Sequence, residues 1–296
     1  MAFGAFGGSL KNFIATELGA FAASAAIASF KKKVPINSVF FENILQTDNT
    51  APYLAHHVDF NSVFFGNVLQ TDNTAPYLAR HVGLRPGLPI KIPVLTINRL
   101  CRSGFQAVIN AVQEIGLDFK YWYRKYKFGL DLKLEDSLVA CLVDQYPTRT
   151  PMDVTAENLP KKITLLVNKL ITDAAGCFSD EITPVEVKTK KSTALFSRDE
   201  HPRSQTIIQT LSKLPFVFVK NTGVVMVDNE SGISDGAGAI IVASEDTIKK
   251  HRIVSLAQIV SYSVTGVKPT IIGIGPILAI KEALKRANLK LSDIGL

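Results

Sequence analysis

Hydrophobic positions along the chain alternate between short apolar runs and helical spacing. Pro93–Asn98 is an apolar run that predicts a buried strand. The apolar positions after it are spaced as on one face of a helix, which Gly116 can end: Phe105, Val108, Ile109, Val112 and Ile115. Gly236–Ser244 and Ile253–Val264 predict further strands, and Pro276 suits the first turn of another helix. This alternation predicts an α/β protein with helices on the faces of its sheet.

The first 33 residues carry a second helical pattern. One face of the predicted helix is apolar: Leu10, Phe13, Ile14, Leu18, Phe21 and Ala25. Three lysines follow at Lys31–Lys33, as in a mitochondrial transit peptide, whereas no secretory signal is present. An amphipathic helix packed on a sheet explains the same pattern, and we favour it.

A near-duplicate segment follows this helix. Asn37–Val58 recurs as Asn61–Val82 with an offset of 24 residues, and 19 of 22 positions are identical. The three differences are Glu42/Gly66, Ile44/Val68 and His56/Arg80. Two copies are too few for a repeat architecture, which buries its core by stacking three or more units. We therefore expect the second copy to hold the native position and the first to be an inserted passenger.

Composition excludes several classes of protein. The 296 residues are 47% hydrophobic and 20% charged, which is typical of a globular chain. The net charge of +7 (33 − 26) is spread along the sequence and does not by itself indicate a nucleic-acid partner. The basic, aromatic segment Phe119–Phe128 is interpreted as a surface loop rather than a nucleic-acid platform. No apolar run is long enough to predict a transmembrane segment, and the histidines lack metal-ligand spacing.

Cys101 is the sharpest candidate for chemistry. The strand ending at Asn98 is followed by a tight turn that carries Cys101 and by a helix that begins near Ser103. A helix N-terminus favours thiolate over thiol and so activates a cysteine as a nucleophile. The alternative is that Cys101 is a small buried hydrophobic residue, as most free cysteines are. Cys141 and Cys177 form no CxxC pair with it, which favours a reducing compartment.

The segment from Asn98 to Gln106, NRLC-x-SGFQ, resembles the active-site segment of the thiolase family, and within it that of mitochondrial members acting on 3-ketoacyl-CoA. The resemblance extends over nearly the whole chain: FGAFGGSLKNF (Phe3–Phe13), GNVLQ (Gly66–Gln70), YLARHVGLR (Tyr77–Arg85), DLKLEDSL (Asp131–Leu138), TAENL (Thr155–Leu159), PVEVKTKK (Pro184–Lys191), NESGISDGAGAIIVASED (Asn229–Asp246) and GIGP (Gly273–Pro276). It implies a layered sheet-and-helix α/β fold with an N-terminal domain, a loop domain and an incomplete C-terminal domain.

The resemblance also implies chemistry. Cys101 matches the position that carries the acyl group, and Arg203, Thr206 and Ser231 match positions that contact coenzyme A. An Arg fork suits a phosphate, and hydroxyl groups suit the nucleotide and the pantetheine arm, although a solvated surface charge is the alternative for Arg203. Coenzyme A is expected as a substrate, with no bound cofactor and no metal.

The resemblance assigns four segments. Residues 1–117 match the N-terminal domain with its duplication (37–58/61–82), 118–228 a shortened loop domain, 229–250 the last strand region of the N-terminal domain, and 251–296 the start of a truncated C-terminal domain.

Several family features are missing from the 296 residues. These are the first strand, the strand and GGTES-like turn expected between Gly116 and Tyr121, part of a helix between Pro160 and Ala174, and the NEAF, GHP and CxGxG motifs. Arg102 stands where the family has a glycine, and we expect either its size or a glycine-only φ to distort the turn.

We expect an acyl-CoA acyltransferase of fatty-acid β-oxidation, located in the mitochondrial matrix and catalytically impaired. Two alternatives stay open: a non-catalytic module that binds acyl-CoA or pairs with itself or an intact thiolase, and the product of a damaged gene copy.

Overall fold

The computed structural model describes residues 1–5, 7–29, 36–43, 60–67, 77–116, 143–144, 150–151, 154–158, 176, 178–188, 192–201, 214–220, 222–226 and 232–295. The strands are β1 (Gly4–Ala5), β2 (Ile36–Asn43), β3 (Phe60–Asn67), β4 (Val94–Ile97), β5 (Val143–Asp144), β6 (Thr150–Pro151), β7 (Val185–Lys188), β8 (Thr193–Phe196), β9 (Ser234–Asp235) and β10 (Gly238–Val242). The α-helices are α1 (Ala15–Ser29), α2 (Leu78–Leu84), α3 (Ser103–Gly116), α4 (Glu245–His251) and α5 (Gly275–Ala287). Short 3₁₀ helices cover Val154–Asn158, Pro269–Ile274 and Leu291–Asp293.

The chain forms two compact units. The first comprises Met1–Asp131, Lys169–Pro202 and Gly232–Val254, and the second comprises Leu132–Asn168, Arg203–Ser231 and Ser255–Leu296. Cys101 therefore belongs to the first unit. Among the described helices, none combines the length and the apolar character that a bilayer span requires.

A four-stranded sheet in the order β10-β2-β3-β4 organises the first unit. Strands β2, β3 and β4 are parallel, and β10 is antiparallel to β2. Helices α1 and α2 pack on one face, where their apolar side chains meet Val63 and Phe65 of β3. Helix α3 packs on the other face, where Ala107 and Ala111 meet Phe64. The alternation of Phe64 and Phe65 between the two faces follows from the two-residue period of a strand.

The first copy of the duplicated segment lies in the middle of this sheet. Strand β2 comes from that copy and pairs in parallel with β3, its counterpart from the second copy, at the same offset of 24 residues: Val39 lies opposite Val63 and Glu42 opposite Gly66. Its other edge pairs with β10, from Gly238↔Glu42 to Val242↔Ser38. The passenger expectation is therefore wrong. The two equivalent strands fit into one sheet because they occupy neighbouring positions in it.

Helix α1 begins later than its pattern predicts. Leu10 is fully buried but precedes the helix, and Phe21 is 40% exposed. The Glu17 carboxylate accepts the Ile14 backbone N–H at 3.0 Å, which caps the helix start at Ala15. Arg85, just after α2, lies 3.8 Å from the Glu17 carboxylate and joins the two helices. The helix packs on the sheet, which confirms the interpretation that we favoured for this segment.

The Asp199 and Glu200 carboxylates hold the segment before α1. Asp199 accepts the Phe3 N–H at 2.7 Å, and Glu200 accepts the Ala5 N–H at 2.7 Å and the Ser9 hydroxyl at 2.5 Å. Burial alone raises the pKa of Glu200, but these hydrogen bonds from Ser9 and Ala5 outweigh it and leave the pKa below its usual value. The chain start is thereby fixed beside the β1–β9 pair.

Five of the other sequence predictions can be compared directly with the structure. The predicted strand at Pro93–Asn98 and the helix after it are confirmed as β4 and α3, and the strand predicted at Gly236–Ser244 is confirmed in β10. Pro276 lies in the first turn of α5, as predicted. The strand predicted at Ile253–Val264 is wrong, since no strand is assigned there among the described residues. Val254 and Leu256 are 90% and 103% exposed, which shows that no neighbouring strand covers these side chains.

Candidate active site: the Cys101 elbow

Cys101 lies on the turn between β4 and α3, which we call the elbow (residues 98–102). Strand β4 ends at Ile97 and α3 begins at Ser103, as the sequence predicts. The Cys101 side chain is exposed, so the alternative of a buried hydrophobic residue is wrong. Its thiol makes no hydrogen bond within the described residues. The thiol is therefore accessible to a substrate.

The elbow turns sharply because Leu100 adopts a left-handed conformation, with φ of +51°. This region is unfavourable for a residue with a branched side chain, so neighbouring groups must hold it. The Asn98 side-chain oxygen accepts the Leu100 N–H at 3.0 Å. Arg102, by contrast, is not among the described residues with positive φ. The expectation that Arg102 needs a glycine-only φ is therefore wrong, and the conformational demand falls on Leu100.

Ser103 locks the turn from inside. Its hydroxyl accepts the Arg99 N–H at 2.8 Å and donates to the Leu100 carbonyl at 2.6 Å. Its own N–H donates to the same carbonyl at 2.9 Å. The side chain is fully buried. Three hydrogen bonds of one residue therefore hold the Asn98–Arg99 and Leu100–Cys101 peptide groups, immediately before Cys101.

Gly66 allows α3 to approach the sheet at the elbow. A Cβ built on Gly66 would lie 2.4 Å from the Gly104 backbone nitrogen and 2.4 Å from the Ser103 carbonyl carbon. No side chain fits there without movement of the helix N-terminus. The first copy carries Glu42 at the matching position, so only the second copy can form β3 next to the elbow. Sequence reasoning noted this difference between the copies but missed its meaning.

Polar groups surround the elbow. Arg99 donates a short hydrogen bond from Nη1 to the Gln106 side-chain oxygen, and Gln106 Nε2 donates to Asn110 Oδ1 at 2.6 Å. Asn67, at the carboxyl end of β3, is fully buried, and both polar atoms of its side chain lack a hydrogen-bond partner among the described residues. A buried amide in this state is costly unless a water or ligand reaches it. Sequence reasoning missed Ser103, Gly66 and Asn67 alike.

The other predicted site residues lie outside the described residues: Arg203, Thr206 and Ser231, together with Cys141 and Cys177. The structure therefore describes the surroundings of Cys101 and not those of the three predicted coenzyme A contacts. Within the described parts of the chain, no group of His, Cys, Asp or Glu side chains is arranged to hold a metal ion. The chemistry that this site supports is attack by an exposed thiol at a helix N-terminus.

Replacing Ser103 with Ala is expected to destabilise the protein by about 1–2 kcal/mol, because the Arg99 N–H loses its acceptor and Leu100 its lock. The measurement is urea unfolding at neutral pH. Ser29→Ala is the control, since that hydroxyl bonds the Ala26 carbonyl on the surface, and its effect should stay within about 0.5 kcal/mol. Equal effects of the two substitutions would show that the Ser103 hydroxyl does not hold the elbow.

Comparison with known proteins adds the family. The model of the thiolase N-terminal domain matches residues 50–118 and 171–246, and that of the thiolase C-terminal domain matches residues 253–296. The mitochondrial 3-ketoacyl-CoA thiolase of Homo sapiens is 44% identical to this chain over 326 residues, which cover 99% of this chain and 76% of the relative. The β-ketothiolase BktB of Cupriavidus necator is 34% identical, with the same coverage.

Solved structures agree with the sequence relatives. The crystal structure of human mitochondrial 3-ketoacyl-CoA thiolase superposes with a TM-score of 0.81 at 43% identity, and covers 100% of this chain and 76% of that one. The structure of the human enzyme in complex with CoA gives a TM-score of 0.78 at 41% identity, with coverage of 100% and 75%. The predicted family and fold are thus confirmed: the chain belongs to the thiolase family and has its α/β fold.

Proposed function

We propose that the chain is an acyl-CoA acyltransferase of the 3-ketoacyl-CoA thiolase type, with Cys101 as the acyl acceptor. The observation that carries this proposal is the elbow itself: an exposed cysteine at the start of α3, held by a left-handed Leu100 and a buried Ser103. The names of the relatives support the substrate class, since the human and mouse proteins are both named mitochondrial 3-ketoacyl-CoA thiolase.

The proposed reaction has two half-reactions. The Cys101 thiolate attacks the 3-keto carbonyl, the bond between C2 and C3 breaks, and acetyl-CoA leaves after C2 takes up a proton. An acyl thioester remains on Cys101. The thiolate of free CoA then attacks this thioester, which releases the shortened acyl-CoA and regenerates the Cys101 thiolate.

Coenzyme A is the proposed substrate, and Arg203, Thr206 and Ser231 are its proposed contacts. A solved relative that binds CoA supports this assignment. The guanidinium of Arg203 would pair with phosphate, and the two hydroxyls would bond the pantetheine arm or the nucleotide. The mitochondrial relatives support a mitochondrial location, and we propose the matrix.

We also propose that a polypeptide of these 296 residues turns over poorly. The asparagine, histidine and second cysteine of the family motifs NEAF, GHP and CxGxG are not among them. Those groups form an oxyanion site and deprotonate CoA in the family, so the second half-reaction lacks its base. The alternative function is a non-catalytic module that binds acyl-CoA or pairs with an intact thiolase. The compact core around β3, which needs none of those three groups, favours it as the second candidate.

Selective alkylation tests the nucleophile. We expect iodoacetamide near neutral pH to modify Cys101 before Cys141 and Cys177, because Cys101 is exposed at the start of α3. Peptide mass spectrometry over a time course gives the three rates, and Cys101→Ser shows how much labelling occurs elsewhere. Equal rates for all three cysteines in the folded protein would count against Cys101 as the activated thiol, as would faster labelling of Cys141.

A further inference from the structure

Two arginines flank Cys101, and no acidic residue balances them nearby in the sequence. Arg99 precedes Cys101 by two positions and Arg102 follows it directly, while residues 94–113 contain no Asp or Glu. The first turn of α3 also lacks an acidic side chain. The elbow therefore combines two guanidinium charges with the positive end of a helix.

The two arginines differ in what they bind. Arg99 is partly buried, and its guanidinium is committed to the Gln106 side chain on α3. Arg102 is exposed, and its guanidinium makes no hydrogen bond or ion pair within the described residues. Its backbone is nevertheless firmly placed: the N–H donates to the Arg99 carbonyl at 3.2 Å and the carbonyl accepts the Gln106 N–H at 2.9 Å. The backbone of Arg102 is therefore held in place, while its guanidinium has no partner among the described residues.

A free guanidinium beside a nucleophile acts on what approaches that nucleophile. It attracts an anionic reagent and repels a cationic one, and its planar fork pairs with a carboxylate through two hydrogen bonds. One unit charge at about 8 Å changes the rate of approach of a charged group by about threefold to tenfold at an effective dielectric of about 30–60, between that of a protein surface and that of water. A lysine at this position would supply the positive charge without the planar pair of hydrogen-bond donors, and a glycine would supply neither the charge nor the donors.

We infer that Arg102 is a specificity-determining residue that makes Cys101 prefer acyl donors with a carboxylate on the acyl chain. The substrate class is a 3-ketoacyl thioester that ends in a carboxylate. This inference deepens the proposed function and rests on it for the identity of the acyl donor. The charge selectivity itself can be measured on the thiol without any turnover.

The first test compares iodoacetate with iodoacetamide, which deliver similar groups and differ in charge. The rate ratio at Cys101 is divided by the ratio for N-acetylcysteine in the same buffer. We expect Arg102→Gln to lower this normalised ratio about threefold to tenfold, Arg102→Glu to lower it further, and Arg102→Lys to keep most of it. Arg198→Gln is the matched control, since it removes one exposed charge from the same unit. Added salt at about 1 M should weaken the selectivity of the unaltered protein.

The second test uses the succinyl and butyryl thioesters of N-acetylcysteamine, of which only the first carries a carboxylate. The Cys101 thiolate attacks the thioester carbonyl, the carbon–sulfur bond breaks, and N-acetylcysteamine leaves as a thiol. We expect faster succinylation than butyrylation of Cys101, and loss of that preference in Arg102→Gln. An unchanged alkylation ratio in Arg102→Gln, or an equal change in Arg198→Gln, would overturn the inference. If neither thioester acylates Cys101, the proposed function fails, and the alkylation ratio alone decides the charge selectivity.

Discussion

Deletion of residues 37–60 is expected to lower the free energy of unfolding by about 3 kcal/mol or more, which is about 6–12 °C in melting temperature for a domain of this size. The deletion removes one whole copy of the duplicated segment and joins Ile36 to Asn61. The loss arises because β2 is an interior strand that pairs with β10 on one side and with β3 on the other. Thermal unfolding followed by circular dichroism measures the change.

A matched deletion isolates the role of Gly66. Removal of residues 43–66 also deletes 24 residues and leaves the same junction sequence, except that Glu42 stands in place of Gly66. We expect this second deletion to be the less stable of the two, because a Cβ at this position meets the backbone of Gly104 at 2.4 Å. A stability equal to that of the unaltered protein after deletion of 37–60 would show that the first copy is a passenger after all.

No measurable thiolysis is expected when a polypeptide of these 296 residues is supplied with acetoacetyl-CoA and CoA. Loss of one oxyanion donor costs about 100- to 1000-fold in rate, and loss of a positioned acid or base costs about 100- to 10,000-fold, although such effects seldom add fully. Acylation of Cys101 is only the first half-reaction and does not need the base that deprotonates CoA, so it should persist at a low rate.

The assay follows loss of the 3-ketoacyl-CoA enolate absorbance with protein purified free of host thiolase. Cys101→Ala gives the background rate. Turnover that depends on Cys101 and reaches about 1 per second would contradict the expected impairment, since it is a rate typical of enzymes. The same experiment with an intact thiolase added tests the alternative: a change in the partner's rate that persists in Cys101→Ala would favour the subunit-interaction module.

Local signals carried most of what the sequence predicted about the site. The strand, turn and helix around Cys101 follow from a short apolar run, a polar turn and helical spacing, and β4 and α3 lie where these patterns put them. The sequence did not predict the role of Ser103, because serine is common at the start of exposed helices and the residue type does not show whether its side chain is buried. A glycine-only φ was one of the two alternatives considered for Arg102, but the positive φ occurs at Leu100, since the geometry of a five-residue turn is set by its hydrogen bonds and not by composition.

Non-local pairing explains what the sequence could not predict. The duplication was interpreted as one native copy and one passenger, whereas the two copies form neighbouring strands of one sheet. We attribute their order in the sheet to Gly66, which lies under the N-terminus of α3. The apolar run Ile253–Val264 has the composition of a strand but finds no partner strand among the described residues. Strand formation needs a neighbour, so an apolar run alone is not sufficient evidence for it.

The central claim is that the Cys101 thiol accepts the acyl group of an acyl-CoA thioester. Its most direct test is incubation of the folded protein with acetyl-CoA, followed by acid quenching and peptide mass spectrometry. We predict slow acetylation on the peptide that contains Cys101 and its absence in Cys101→Ala. Acetylation confined to Cys141 or Cys177, or none on any cysteine while the protein remains folded, would contradict the claim.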